Sequence, residues 1–164
     1  MAAAEYRFET RRVQCPNCGE ADEPLDVMGA LTAAPELITA ALHDSRSTAN
    51  DGWTPQEVAA HLADTEVFRG MRFRRIIAED NPAIERIDGE VWAAALYYSQ
   101  RDVATSFATF AANRRANLEM LRLAGEAALD RLYLHESLGP LTLRSLVDHT
   151  THHDLAHLRQ ISAG

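Results

Sequence analysis

The sequence contains no lysine: all 16 basic residues among its 164 are arginine. Together with abundant alanine, this reads as genomic composition bias and not as mechanism. The 24 acidic residues outnumber the basic ones, and the formal net charge of −8 repels phosphate backbones, which excludes nucleic acid as a natural partner. No apolar run approaches the roughly 20 residues that span a bilayer, and the first residues show neither a basic n-region nor an apolar core. The expectation is a cytoplasmic protein with no membrane partner. Strand signals are sparse, and neither an internal repeat nor a low-complexity segment stands out. What remains is ordinary for one globular domain: 46% hydrophobic and 24% charged residues, in a chain long enough for a real core but short for two.

Apolar residues recur at helical spacing in four places. Val27, Met28, Leu31, Leu37, Ile38, Ala41 and Leu42 mark a first helix within residues 25–42, with Pro35 starting a new helix or kinking this one. After a polar loop, Thr54, Pro55 and Glu57 give a cap, a first-turn proline and a capping box. That second helix should run to about Glu79 and bury Val58, Leu62, Phe68 and Ile76, with His61 beside this stripe. Arg69, Arg72, Arg74 and Arg75 gather towards its C-terminal end, either as a solvated face that complements the helix dipole or as a docking patch for an acidic cosubstrate. Residues 91–98 predict a short flanking helix. A third long helix follows Ser99 and Asp102, and runs through Val103, Phe107, Phe110, Leu118 and Leu121 to Gly125. Residues 127–140 read as irregular, with 132–134 briefly extended. Thr142 caps a last helix that turns Leu143, Leu146, Thr150, His153, His157 and Ile161 towards the core. Four long helices predict an all-α fold, a four-helix bundle.

The first 24 residues differ from the rest and predict an irregular arm, leaving residues 25–164 as the bundle. The arm carries the only two cysteines, Cys15 and Cys18, in a Cys-Pro-Asn-Cys-Gly turn. Two thiolates at this spacing are half of a tetrahedral zinc site. The turn is therefore a metal-free relic, a second metal site completed by histidines or another chain, or a redox dithiol. Glu20, Asp22, Glu23 and Asp26 follow as an acidic connector expected to lie in solvent.

Four of the seven histidines fall within nine residues, at His149, His152, His153 and His157. On a helix, His149, His153 and His157 form an i, i+4 ladder, and two neighbouring rungs can hold one metal ion. Spacing leaves two pairs open, His149/His153 and His153/His157, and it leaves a ladder of partly exposed histidines without a role. His61 is the best third ligand, because bundle metal sites arise from residues that face one another across the core. The stretch from His153 to His157 also has zincin spacing, with Asp154 where the glutamate base would stand. Aspartate is one methylene short, and the accompanying strands are missing, so peptidase chemistry ranks a distant third.

Two separated motifs, Trp53-Thr54-Pro55-Gln56-Glu57-Val58-Ala59-Ala60-His61 continuing to Glu66, and His153-Asp154-Leu155-Ala156-His157 continuing to Ile161, resemble the DinB/YfiT-like metalloenzymes. The resemblance covers the chain from about Leu25 onwards. It implies a DinB-like four-helix bundle in which His61, His153 and His157 bind one divalent metal, zinc or nickel, with a homodimer as the common assembly. It does not extend to Cys15 and Cys18, although a dimer would let two arms meet. Three neutral imidazoles leave an open metal position for water or a thiolate. The expected function is a metal-dependent enzyme acting on a small molecule, of thiol transferase or hydrolase type, with a low-molecular-weight thiol as a cosubstrate of the former. Asp64 and Gln160, each about one turn from a ligand, are candidates for outer-sphere partners or a catalytic base. The alternative is a non-catalytic metal-binding or dimerisation module.

Overall fold

The computed structural model describes residues 9–12, 14–15, 22–44 and 52–162. Its long helices are α1 (Val27–Asp44), α2 (Pro55–Ala78), α4 (Val103–Ala124) and α5 (Leu143–Ser162), and the short α3 spans Gly89–Ala95. The fold is an all-α four-helix bundle. Around it α2 packs on α4, α4 on α1, and α1 on α5, while α5 closes on α2. No described helix is long and apolar enough to cross a membrane.

The capping chemistry read from the sequence is present in atomic detail. The Glu57 backbone N–H donates to Thr54 Oγ1 at 3.2 Å, and the Glu57 carboxylate accepts from the Thr54 N–H at 2.7 Å. Such a cap contributes about 1 kcal/mol. Asp102 caps α4 through the Thr105 N–H, and Thr142 Oγ1 accepts from the Ser145 N–H at the start of α5. Pro35 lies inside α1. A proline at this position withholds an N–H from the carbonyl four residues earlier, Leu31. That carbonyl accepts instead from Arg114 Nη1 at 3.1 Å, so the helix continues with its polar group satisfied.

Short strands, which the sequence hardly signals, sit at one end and on the arm. β1 (Thr10–Arg12) and β2 (Asp22–Pro24) form an antiparallel pair in the arm, whereas β3 (Ala83–Ile84), β4 (Leu132–His135) and β5 (Gly139–Thr142) form a three-stranded sheet. β3 runs parallel and β5 antiparallel to β4. The two-residue period of β4 puts Tyr133 and His135 on one face, with Tyr133 buried, and leaves Leu132 and Leu134 exposed. Residues 127–140 are thus more regular than expected, since backbone pairing with distant β3 organises them. Glu23 overturns the expectation of a solvated connector: it is only 2% exposed and accepts from Arg11 at 2.8 Å.

The core has two apolar ends. One gathers Leu31, Phe73, Ile76, Leu118, Tyr133 and Leu146, and the other Ile38, Val58, Leu62, Phe110 and Ile161. Between them lies a charged layer of Glu66, Arg69, Arg114, Asn117 and Asp154, each at most 3% exposed. Arg114 donates to Asp154 at 2.6 and 3.2 Å and to Glu66 at 2.7 Å. Asn117 Nδ2 donates to Glu66 Oε1 at 2.8 Å, and Arg69 stands 3.9 Å from Asp154. Two guanidiniums balance two carboxylates. Burial opposes the charge on Arg114, but Asp154 and Glu66 outweigh it and raise its pKa above the ordinary arginine value. Gly70 leaves room for Asn117, because a Cβ there would fall 2.5 Å from Asn117 Oδ1.

The arginines towards the end of α2 are therefore not one solvated face. Arg69 joins the charged layer, and Arg74 donates to the Gly70 carbonyl and to Asn117 Oδ1. Arg75 pairs with Glu79. Arg72 turns towards the cavity described next.

Candidate metal centre

His61 lies in the second turn of α2, and His153 and His157 lie one turn apart on α5. Closure of α5 against α2 therefore brings the three imidazoles together. One ring nitrogen from each lies within 4.8 Å of the other two. His61 Nε2 and His153 Nε2 are 2.9 Å apart, and the His157 ring centre is 5.0 Å from that of His61.

The surroundings keep these rings neutral. Burial first, and then His157 and Arg69, push the His61 pKa down to about 3. Burial also lowers His153, with Arg69 adding to the effect, and it lowers His157 against the opposing hydrogen bond that His157 donates to Gln160. Neutral imidazoles keep lone pairs for a cation at ordinary pH. Arginine only donates, so Arg69 Nη1, 3.3 Å from His153 Nδ1, favours an unprotonated Nδ1. The proton of His153 then sits on Nε2, where it bridges to His61 Nε2. Coordination through His153 Nε2 would need the other neutral tautomer, with the proton on Nδ1 and no net loss of a proton.

The supporting contacts differ for each ring. His157 Nδ1 is 2.8 Å from Gln160 Oε1, which orients the ring and leaves its Nε2 available. Thr65 Oγ1 lies 3.4 Å from His61 Nε2. Trp53 meets His61 edge-on with centres 4.9 Å apart, and Gly89 of α3 lies behind, where a Cβ would sit 3.6 Å from His61 Cε1. Asp64 accepts from Arg101 at 2.7 Å.

The other sequence candidates fall elsewhere. His149, half-buried, lies with its Nδ1 3.9 Å from the Sγ of buried Cys15. Cys18 lies outside the described residues. His152 is buried at 3% exposure and so does not belong to a partly exposed ladder. Asp154 pairs with Arg114 and faces the charged layer. The sequence reading grouped Arg69 with the other arginines of α2 without linking it to His153, and it missed Thr65 and the Trp53 wall; the one available signal for Trp53 was its place at the head of the first histidine motif. A cavity of about 410 Å³ opens beside the centre, lined in part by His61, His153, Arg69 and Arg72.

The DinB superfamily model matches residues 20–161. The chain belongs to the DinB superfamily. Two relatives are "Putative metal-dependent hydrolase OB0782" of Oceanobacillus iheyensis, 27% identical over 68% of this chain and 64% of its own length, and "Putative metal-dependent hydrolase YfiT" of Bacillus subtilis, 26% identical over 84% and 79%. The chain thus spans just under two thirds of the first relative. A solved structure described as "YfiT from Bacillus subtilis is a probable metal-dependent hydrolase with an unusual four-helix bundle topology" superposes with a TM-score of 0.77, at 22% identity over 84% of this chain and 82% of that one. At that identity the match establishes the DinB fold and nothing finer.

The donor set of this DinB protein fits a divalent transition metal. Three neutral imidazoles with a supported outer shell are a common ligand set for zinc, and imidazole also suits nickel.

Proposed function

We propose that this protein is a metal-dependent enzyme of hydrolase or thiol transferase type that holds one zinc or nickel ion through His61, His153 and His157. The observation that carries the proposal is the convergence of three neutral imidazoles from two helices, two of which, His61 and His153, line a cavity. The names of the two relatives support a metal-dependent hydrolytic reaction. A cation there would supply Lewis acidity and an open position for water or a thiolate. The chain's own groups have separate tasks. Gln160 orients His157, Arg69 stands against the His153 ring, and Trp53 with Gly89 screens His61 from bulk water. A small thiol would enter as cosubstrate through the cavity.

Elemental analysis of protein purified without a histidine tag tests this directly. About one zinc or nickel per chain is expected in the wild type, with loss in His61→Ala and in His153→Ala. Two ions per chain, or none after reconstitution, would overturn the triad. Loaded protein is then screened with small thiols plus electrophilic acceptors and with ester or amide substrates. Turnover in one arm that His153→Ala abolishes identifies the reaction class; a loaded protein inert in both arms would favour the non-catalytic metal-binding module.

A further inference from the structure

The 410 Å³ cavity has a one-sided charge. Its 15 lining residues include three arginines and four histidines but no aspartate or glutamate, in a chain whose acidic residues outnumber its basic ones by eight. The asymmetry belongs to this cavity and runs against the average composition.

Two of the arginines have no carboxylate partner within 4.0 Å among the described residues. Arg72 donates to the Glu85 carbonyl through one Nη, stacks over the Phe68 ring at 4.2 Å, and leaves its buried Nε–H without an acceptor. Burial, followed by repulsion from Arg69, pushes its pKa down to about 10. Its guanidinium is thus partly desolvated and close to a like charge. Arg86, on the segment between β3 and α3, lines the same cavity from the solvent side with an exposed side chain. An unsatisfied buried donor costs about 1–3 kcal/mol, more when charged. Glu85 offsets only part of the burial of Arg72, and no carboxylate lines the cavity itself. Planar guanidiniums match carboxylate and phosphate oxygens in a bidentate fashion.

We infer that the cavity is the substrate pocket of the proposed metal site and that it selects a small anion, a carboxylate or phosphate ester, gripped by Arg72 and Arg86. This rests on the metal-site reading for its catalytic meaning, but anion binding itself can be measured without the metal. The reactive end of such a molecule would lie towards His61 and His153, with its anionic end towards the two arginines.

Calorimetric titration of succinate, inorganic phosphate and neutral succinamide into metal-free protein at low salt is the test. Succinate or phosphate should bind and succinamide should not, and the preference between the two anions tells a carboxylate pocket from a phosphate pocket. Arg86→Met, at an exposed position, should weaken binding by about tenfold with an unchanged melting temperature. Arg72→Met should weaken it at least as much, and Arg72→Lys should restore only part. Metal content measured on the same samples separates the two readings, because the arginine variants should load metal normally while they lose the anion. Binding of succinamide equal to that of succinate, no binding of either anion, or unchanged binding in both arginine variants would overturn the inference.

Discussion

Two polar clusters are buried in this bundle, less than two helical turns apart along α2, and they solve the cost of burial in opposite ways. The charged layer keeps its charges and pairs them: Arg114 holds Glu66 and Asp154 between 2.6 and 3.2 Å. The histidine centre gives its charge up, since burial drives the imidazoles to the neutral form. The first arrangement is complete without any added group, and the second offers free lone pairs to one. Stability should therefore depend on the charged layer, and ligand response on the histidines.

The sharpest way to break this contrast is Arg114→Met. It leaves two carboxylates buried without their guanidinium and opens the Leu31 carbonyl beneath Pro35. Removing one partner of a buried ion pair costs about 3–5 kcal/mol, so urea denaturation should show a loss of that size or no folded protein. His153→Ala should behave in the reverse manner: in the absence of metal its urea midpoint should change far less than that of Arg114→Met.

Metal addition comes next in size. A ligand that binds only the folded state at a hundred times its dissociation constant stabilises by about 2.7 kcal/mol. Zinc or nickel should therefore raise the melting temperature of the wild type and of Gly89→Ala, where the added Cβ has space, but not that of His61→Ala or His153→Ala. Gln160→Ala removes only the outer support of His157. Its metal affinity should fall by about 10–100-fold with stoichiometry retained, as competition with a chelator would show.

The smallest effect compares two aspartates on α5. Asp154 has Arg114, whereas Asp148 is half-buried beside Glu23, and burial followed by Glu23 raises its pKa to about 6. A carboxyl with a raised folded pKa carries a penalty that is full above pH 6 and disappears below its unfolded value near 4. Asp148→Asn should thus stabilise the protein at pH 7 by about 1 kcal/mol after allowance for solvent screening, and the gain should vanish by about pH 4. The buried histidines act with the opposite sign. Their folded pKa values lie below that of the unfolded chain, so stability in the metal-free protein should fall as pH drops below about 6.5. Urea midpoints across pH 4–8 for wild type and Asp148→Asn separate the two contributions.

The histidine centre was legible because its ligands come in patterns local to one helix. An i, i+4 pair on α5 and a histidine within a capped α2 are visible as spacing, and the family resemblance selects among the pairs. The charged layer was not legible in the same way. Glu66, Arg69, Arg114 and Asp154 each sit in a helix as ordinary charged residues do, and nothing local distinguishes Arg114 in the core from Arg115 beside it on the exposed side. The acidic connector misled for the same reason, since Glu23 is buried only because β2 lies against α5 and Arg11 comes across from β1. The parallel pairing of β3 with β4 joins residues about fifty apart, and two-residue strands carry no periodicity to detect.

By itself the sequence determined the helices, their caps and the four-helix plan, because helix formation depends on short-range periodicity and on hydrogen bonds within a few residues. It also determined which histidines could share a helix face. Only the tertiary structure decided which charges would be buried, how Pro35 could stay within a helix, and that the cavity beside the histidines has arginines and no carboxylates. Those outcomes depend on which distant side chains meet when helices pack, and desolvation energy is set by that meeting.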